Sequence, residues 1–165
     1  IPVNFAPAID PICIMQIHDT PDRDEPFRWV PFSLYWLQSD ALAAYVPAGA
    51  LPGETENGTI AAMSTYTRGT WHSACLRVKW SKDNSGFREF FLDGVPLFRH
   101  HSVATMYDDE IGPYFKLGCY DATHNGRFGT ATAYFRNVEI WSGNDGYQAV
   151  LGKLPQLPPQ RVESR

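Results

Sequence analysis

Two short stretches of the chain alternate apolar and polar side chains with the period of two that belongs to a β-strand. In Ile12-Cys13-Ile14-Met15-Gln16-Ile17-His18, the residues Cys13, Met15 and Ile17 form one face, read as a core face, and Gln16 and His18 share the other. The second stretch follows Gly112-Pro113, a turn signal that starts a strand. There Tyr114, Lys116, Gly118 and Tyr120 lie on one face, and Phe115, Leu117 and Cys119 make the core face. The first face places an amine and two phenols in one row beside a glycine, whose missing side chain leaves room for a ligand. If the two strands are neighbours, Gln16, His18, Lys116 and Tyr120 converge on one groove.

The rest of the chain reads as further short strands. Residues 1–11 carry three prolines and form an irregular lead-in. The first strand stops at Asp19-Thr20-Pro21, and Asp22-Arg23-Asp24-Glu25 is a solvated loop. Phe27 to Leu37 is β-prone, with Phe32, Leu34 and Trp36 alternating against Ser33, Tyr35 and Leu37. Residues 47–59, rich in Pro, Gly and Glu, form a loop that carries the glycosylation sequon Asn57-Gly58-Thr59. Thr70 to Trp80 is a strand, with Leu76, Val78 and Trp80 on one face and Arg77 and Lys79 on the other. A hairpin loop over 81–86 leads to a strand from Phe87 to Leu92, and Asp93-Gly94 turns the chain again. Residues 95–111 hold a short strand and the cluster Arg99-His100-His101, read as a surface loop. A polar loop from Asp121 to Gly129 leads to a closing strand from Thr130 to Trp141, and the tail from Lys153 is Pro-rich. Hardly any segment has helical periodicity. Many short strands separated by turns predict an all-β chain folded as an antiparallel β-sandwich or jelly roll. It forms one domain over residues 1–152, with 153–165 as a tail.

Composition narrows the function. A 165-residue chain with 44% hydrophobic and 14% aromatic residues has enough apolar surface for one core. No apolar run reaches membrane-spanning length and no signal-peptide pattern is present, so no membrane partner is expected. The start at Ile1 suggests a processed chain or a fragment of a longer product. The net charge of −4 argues against general nucleic-acid binding. Cys13, Cys75 and Cys119 lack metal-ligand spacing and read as buried free thiols, with one disulfide left open.

Each candidate has an ordinary reading beside the functional one. A satisfied polar pair accounts for Gln16 and His18 taken alone, and a solvent-facing sheet accounts for Tyr114, Lys116 and Tyr120, although Gly118 in that row suggests close approach. Arg77 and Lys79 either line the same groove or form a charged outer face. His100 and His101 are poor joint metal ligands, and His72 beside Trp71 is structural. Asp108-Asp109-Glu110 reads as an acidic turn that leaves a structural calcium open; no other metal or cofactor is expected. There is no phosphate-binding loop, zinc spacing, nucleophile elbow or paired-carboxylate row.

Gln16-Ile17-His18 followed by Tyr114-Phe115-Lys116-Leu117-Gly118-Cys119-Tyr120 resembles two signature motifs of the jelly-roll polysaccharide lyases, Q-[IV]-H and Y-F-K-A-G-[VI]-Y in alginate lyases. Trp71 through Gly94, with Val78-Lys79-Trp80-Ser81 and Leu92-Asp93-Gly94, is more similar to the glucuronan lyase and heparin lyase I branch. The resemblance covers roughly residues 12–18 and 70–141. It implies a concanavalin-like jelly roll, secretion, and cleavage of an acidic, uronate-containing polysaccharide by β-elimination. On this resemblance Gln16 hydrogen-bonds the substrate carboxylate, and His18 is a base or carboxylate neutraliser. Tyr120 protonates the leaving oxygen and is a second candidate for taking the C5 proton. Lys116, with Tyr114, binds substrate, and Arg77 and His124 flank it.

One departure stands against this match. The Arg-containing motif R-[ST]-E-L-R that precedes Gln-x-His in alginate lyases is missing from the residues ahead of Ile12. An upstream fragment of the same precursor, another chain, or Arg77 would have to supply it, or activity is lost. Two further functions therefore stand beside the lyase: a non-catalytic glycan-binding module on the same scaffold, and a structural component of a larger assembly.

Overall fold

A computed structural model of the chain describes residues 11–25, 28–37, 40–48, 58–121 and 132–143. Eight strands form in chain order: β1 (Ile12–His18), β2 (Phe32–Leu37), β3 (Ala41–Pro47), β4 (Gly58–Thr65), β5 (Ala74–Lys79), β6 (Gly86–Leu92), β7 (Val95–Val103) and β8 (Tyr114–Asp121). They make a five-stranded sheet in the order β4-β3-β2-β1-β8 and a three-stranded sheet in the order β5-β6-β7. Every pairing is antiparallel. The all-β sandwich expected from the sequence is therefore present.

The core lies where Phe32, Leu34 and Trp36 of the large sheet meet Phe90, Leu92 and Phe98 of the small one. The Phe32 ring packs tilted against Phe90 at 5.3 Å and against Phe98 at 6.4 Å. These aromatic side chains bury large areas and dominate the apolar stabilisation. The Asp93-Gly94 turn forms as expected, both residues taking positive φ (51° and 78°), which suits a two-residue hairpin turn. The Asp93 carboxylate accepts the Ser73 N–H at 2.8 Å and contacts Nδ1 of His72 at 2.7 Å, so His72 has a structural place.

The β1 pattern departs from strict alternation. A β-bulge at Ile14 sets two β1 intervals (Cys13 to Met15) against one on β2 and three on β8. It moves Cys13 off the expected core face and onto the face of Gln16 and His18 and turns Ile12 into the core instead, while Met15 and Ile17 stay with the core. His100 and His101 lie in β7 rather than in a surface loop. Strand alternation turns His100 inward against Phe98 (4.9 Å) and sends His101 outward to Glu89 (2.7 Å). Burial and the Arg88 charge hold the His100 pKa below its ordinary value.

The expected closing strand is not formed over its described part, residues 132–141. Asn137 takes a left-handed φ of 52°, which interrupts an extended run, and Tyr134, Phe135, Val138, Ile140 and Trp141 are exposed on both sides of it. The segment touches the body where Arg136 lies 4.0 Å from the Trp71 ring.

Gly58 is required by a close approach. A Cβ there would lie 2.2 Å from the Trp29 indole, which is itself set against Tyr45 at 6.0 Å. Gly58→Ala is expected to destabilise the chain by about 1–3 kcal/mol as the indole is displaced, which urea unfolding would measure.

Candidate active site

The site is built where β1 and β8 run side by side on the face of the large sheet turned away from the core. Gln16 stands opposite Lys116, His18 opposite Tyr114, and Cys13 opposite Tyr120. Directly paired residues share a sheet face, so one register brings these six side chains together. The Nε2 group of Gln16 donates a hydrogen bond to the Tyr120 hydroxyl at 2.8 Å. His18 stacks on Tyr114 at 5.4 Å, and Nζ of Lys116 lies 5.0 Å from the same ring. A cleft of about 430 Å³ opens at the bulge, lined among others by Cys13, Gln16, Lys116, Gly118 and Tyr120. A Cβ built on Gly118 meets nothing within 4 Å, so this position borders open space.

The tautomer of His18 follows from its partner. Nδ1 lies 2.6 Å from the carbonyl oxygen of Asp19, which can only accept, so Nδ1 carries the proton and Nε2 keeps a free lone pair. Asp19 is fixed in turn. Its carboxylate accepts from Nε of Arg28 at 2.8 Å, and Arg28 also pairs with Asp109. The side chains of all three are only 3% exposed, and the Arg28 guanidinium stacks on Tyr107 at 4.1 Å. This buried network ties the loop after β1 to the segment before β8. It anchors the residue that orients His18.

Tyr120 is protonated at neutral pH. Burial pushes its pKa well above the ordinary phenol value, and Cys13 and Tyr35 add to the shift. The Cys13 thiol is pushed up to about 11, chiefly by burial. The site therefore pairs a half-buried proton donor, Tyr120, with an imidazole that presents a free lone pair, a neutral amide donor and an ammonium.

Of the residues expected at the site, Gln16, His18, Tyr114, Lys116 and Tyr120 share this face. Arg77 lies elsewhere, on the outer face of the small sheet, where it pairs with Glu89 at 2.6 Å and lies over Phe87 at 4.9 Å. His124 is outside the described residues. Cys13 was hidden by the bulge, and Asp19 and Arg28 carried no local signal, because their pairing joins loops distant in sequence. Carboxylate oxygens of Asp22, Glu25 and Asp109 lie within 4.8 Å of one another, but Glu25 and Asp109 already face the Arg28 guanidinium, which supplies their counter-charge.

The polysaccharide lyase family model matches residues 1–139 of the chain. No curated protein matches it. Among solved structures it is similar to an endo-β-1,4-glucuronan lyase from the fungus Trichoderma reesei, with a TM-score of 0.61 and 22% identity over 79% of this chain. The match takes in 58% of the fungal chain, and at that identity the likeness speaks for the fold.

Proposed function

This chain belongs to the polysaccharide lyase family, and from that premise we propose that it cleaves a uronic-acid-containing polysaccharide by β-elimination at the β1–β8 groove. The observation that carries the reading is the Gln16–Tyr120 hydrogen bond with Lys116 directly opposite Gln16. Elimination removes a weakly acidic proton from C5, beside a carboxylate, and expels the oxygen on C4. The Gln16 amide and the Lys116 ammonium hold that carboxylate and stabilise the charge that spreads onto it as C5 loses its proton. Nε2 of His18 takes the proton. The electron pair left on C5 becomes the C4–C5 double bond, the C4–O bond breaks, and Tyr120 gives its phenolic proton to the leaving oxygen. A phenol whose pKa is raised holds its proton at rest and cannot serve as the base, which leaves that role to His18. Transfer of one proton from His18 to Tyr120 through solvent restores the starting state.

Glucuronan, the polymer in the fungal protein's name, is the first substrate of choice. The net charge of −4 offers no general attraction for a polyanion, so electrostatic binding relies on local charge such as Lys116 and weakens with salt. Mass spectrometry of a glucuronan digest tests the proposal. Fragments with an unsaturated end, one water lighter than hydrolysis products, support it; hydrolysis products or an intact polymer sink it.

Gly118→Leu projects a side chain into the cleft from a position where a Cβ meets no protein atom within 4 Å. It is expected to raise KM by roughly tenfold, equivalent to about 1.4 kcal/mol of lost binding, with the thermal midpoint unchanged. Initial rates against polymer concentration, with a melting curve beside them, would check both halves.

A further inference from the structure

Tyr35, on β2, takes no part in the chemistry above, yet its hydroxyl needs an explanation. The residue is 5% exposed, and its ring stands edge-on to Tyr45 at 5.0 Å. Phenylalanine would fill that space equally well, and a buried hydroxyl is retained where it has a hydrogen-bond partner. Ser33, two residues away on the same face, is one candidate, and the sheet register offers another. Cys13 is opposite Tyr35 on one side and opposite Tyr120 on the other, so Tyr35, Cys13 and Tyr120 stand in one cross-strand row on the groove face. Within that row the Gln16 amide donates to the Tyr120 hydroxyl at 2.8 Å, and Tyr35 and Cys13 are near enough to push the Tyr120 pKa up.

A phenol oxygen has one proton to give and lone pairs to fill. At rest the Tyr120 proton can point to Tyr35 or Cys13, its neighbours in the row. Once that proton has passed to the leaving oxygen, the Tyr120 oxygen is a half-buried anion that can only accept. The Tyr35 hydroxyl and the Cys13 thiol both remain protonated at neutral pH, because burial raises both, and both can then turn to donate. A donor that strengthens only as charge develops lowers the barrier rather than the ground state.

We propose that Tyr35 is a positioning residue for Tyr120, accepting its hydrogen bond at rest and donating one to its oxygen after proton delivery. The proposal rests on the reading of Tyr120 as the acid. A double-mutant cycle on glucuronan tests it, using the wild-type chain, Tyr35→Phe, Tyr120→Phe and the double variant, with circular dichroism and melting curves to establish that each is folded. Tyr35→Phe is expected to lower kcat by about 10- to 100-fold, the effect of one hydrogen bond to a charged group, with KM unchanged. In the Tyr120→Phe background the same change is expected to add no further loss. An equal loss in both backgrounds would mean that Tyr35 acts through the fold, and an unchanged kcat in the wild-type background would mean that its hydroxyl is idle; either overturns the proposal. Wild-type turnover by Tyr120→Phe alone overturns the acid assignment, and this proposal with it. No turnover by the wild-type chain defeats the lyase reading itself.

Discussion

Tyr120→Phe is expected to lower kcat on a uronate polymer by roughly 10²- to 10⁴-fold, the range for a lost general acid, with KM little changed. The substitution removes one oxygen and keeps the ring. The leaving sugar oxygen would then depart without the Tyr120 proton. Gln16 loses its acceptor at 2.8 Å, so a stability loss of about 1 kcal/mol accompanies the change. A loss confined to kcat would separate proton delivery from binding. Steady-state kinetics with a melting curve on the same preparation would read both quantities.

Arg28→Ala is expected to give the largest loss of stability, about 3–5 kcal/mol, because it strands the carboxylates of Asp19 and Asp109 in a buried site. The pH dependence has a definite sign. Burial holds the Asp109 pKa above its ordinary value even beside Arg28, and losing Arg28 removes the charge that lowers it, so the folded variant binds more protons. The deficit relative to wild type should therefore shrink as pH falls toward the carboxylate range and be largest at neutral pH. Urea unfolding of both proteins at several pH values would measure it; a deficit independent of pH would contradict the buried-charge account. Because Asp19 also fixes the His18 tautomer, any folded Arg28 variant should lose activity as well.

Legibility in the sequence divided along physical lines. β8 was readable because Tyr114 to Tyr120 alternate cleanly behind a Gly-Pro start, and β6 because it ends on Asp93-Gly94. β3 and β4 carried no comparable signal. β3 is Ala41-Leu42-Ala43-Ala44-Tyr45-Val46-Pro47, alanine-rich and largely buried on both faces, so its polarity does not alternate. The bulge at Ile14 is invisible to a period-two reading, and it alone decides that Cys13 belongs with Tyr120 rather than with the core. The 132–141 segment shows the opposite failure. Its side chains have strand-like composition, but Asn137 and apolar groups on both faces leave it without a partner strand among the described residues. The site residues from the two motifs were legible because motif and strand coincide. Arg77 misled because charge on an outer face looks the same in sequence as charge in a groove.

The central claim is that this groove performs β-elimination, and ultraviolet absorbance followed over time tests it most directly. The chain and its Tyr120→Phe variant would be incubated separately with glucuronan, alginate and heparin. The account predicts a steady rise from the unsaturated uronate with at least one polymer, strongly reduced in the variant. No rise with any polymer, or equal rises from both proteins, would contradict it.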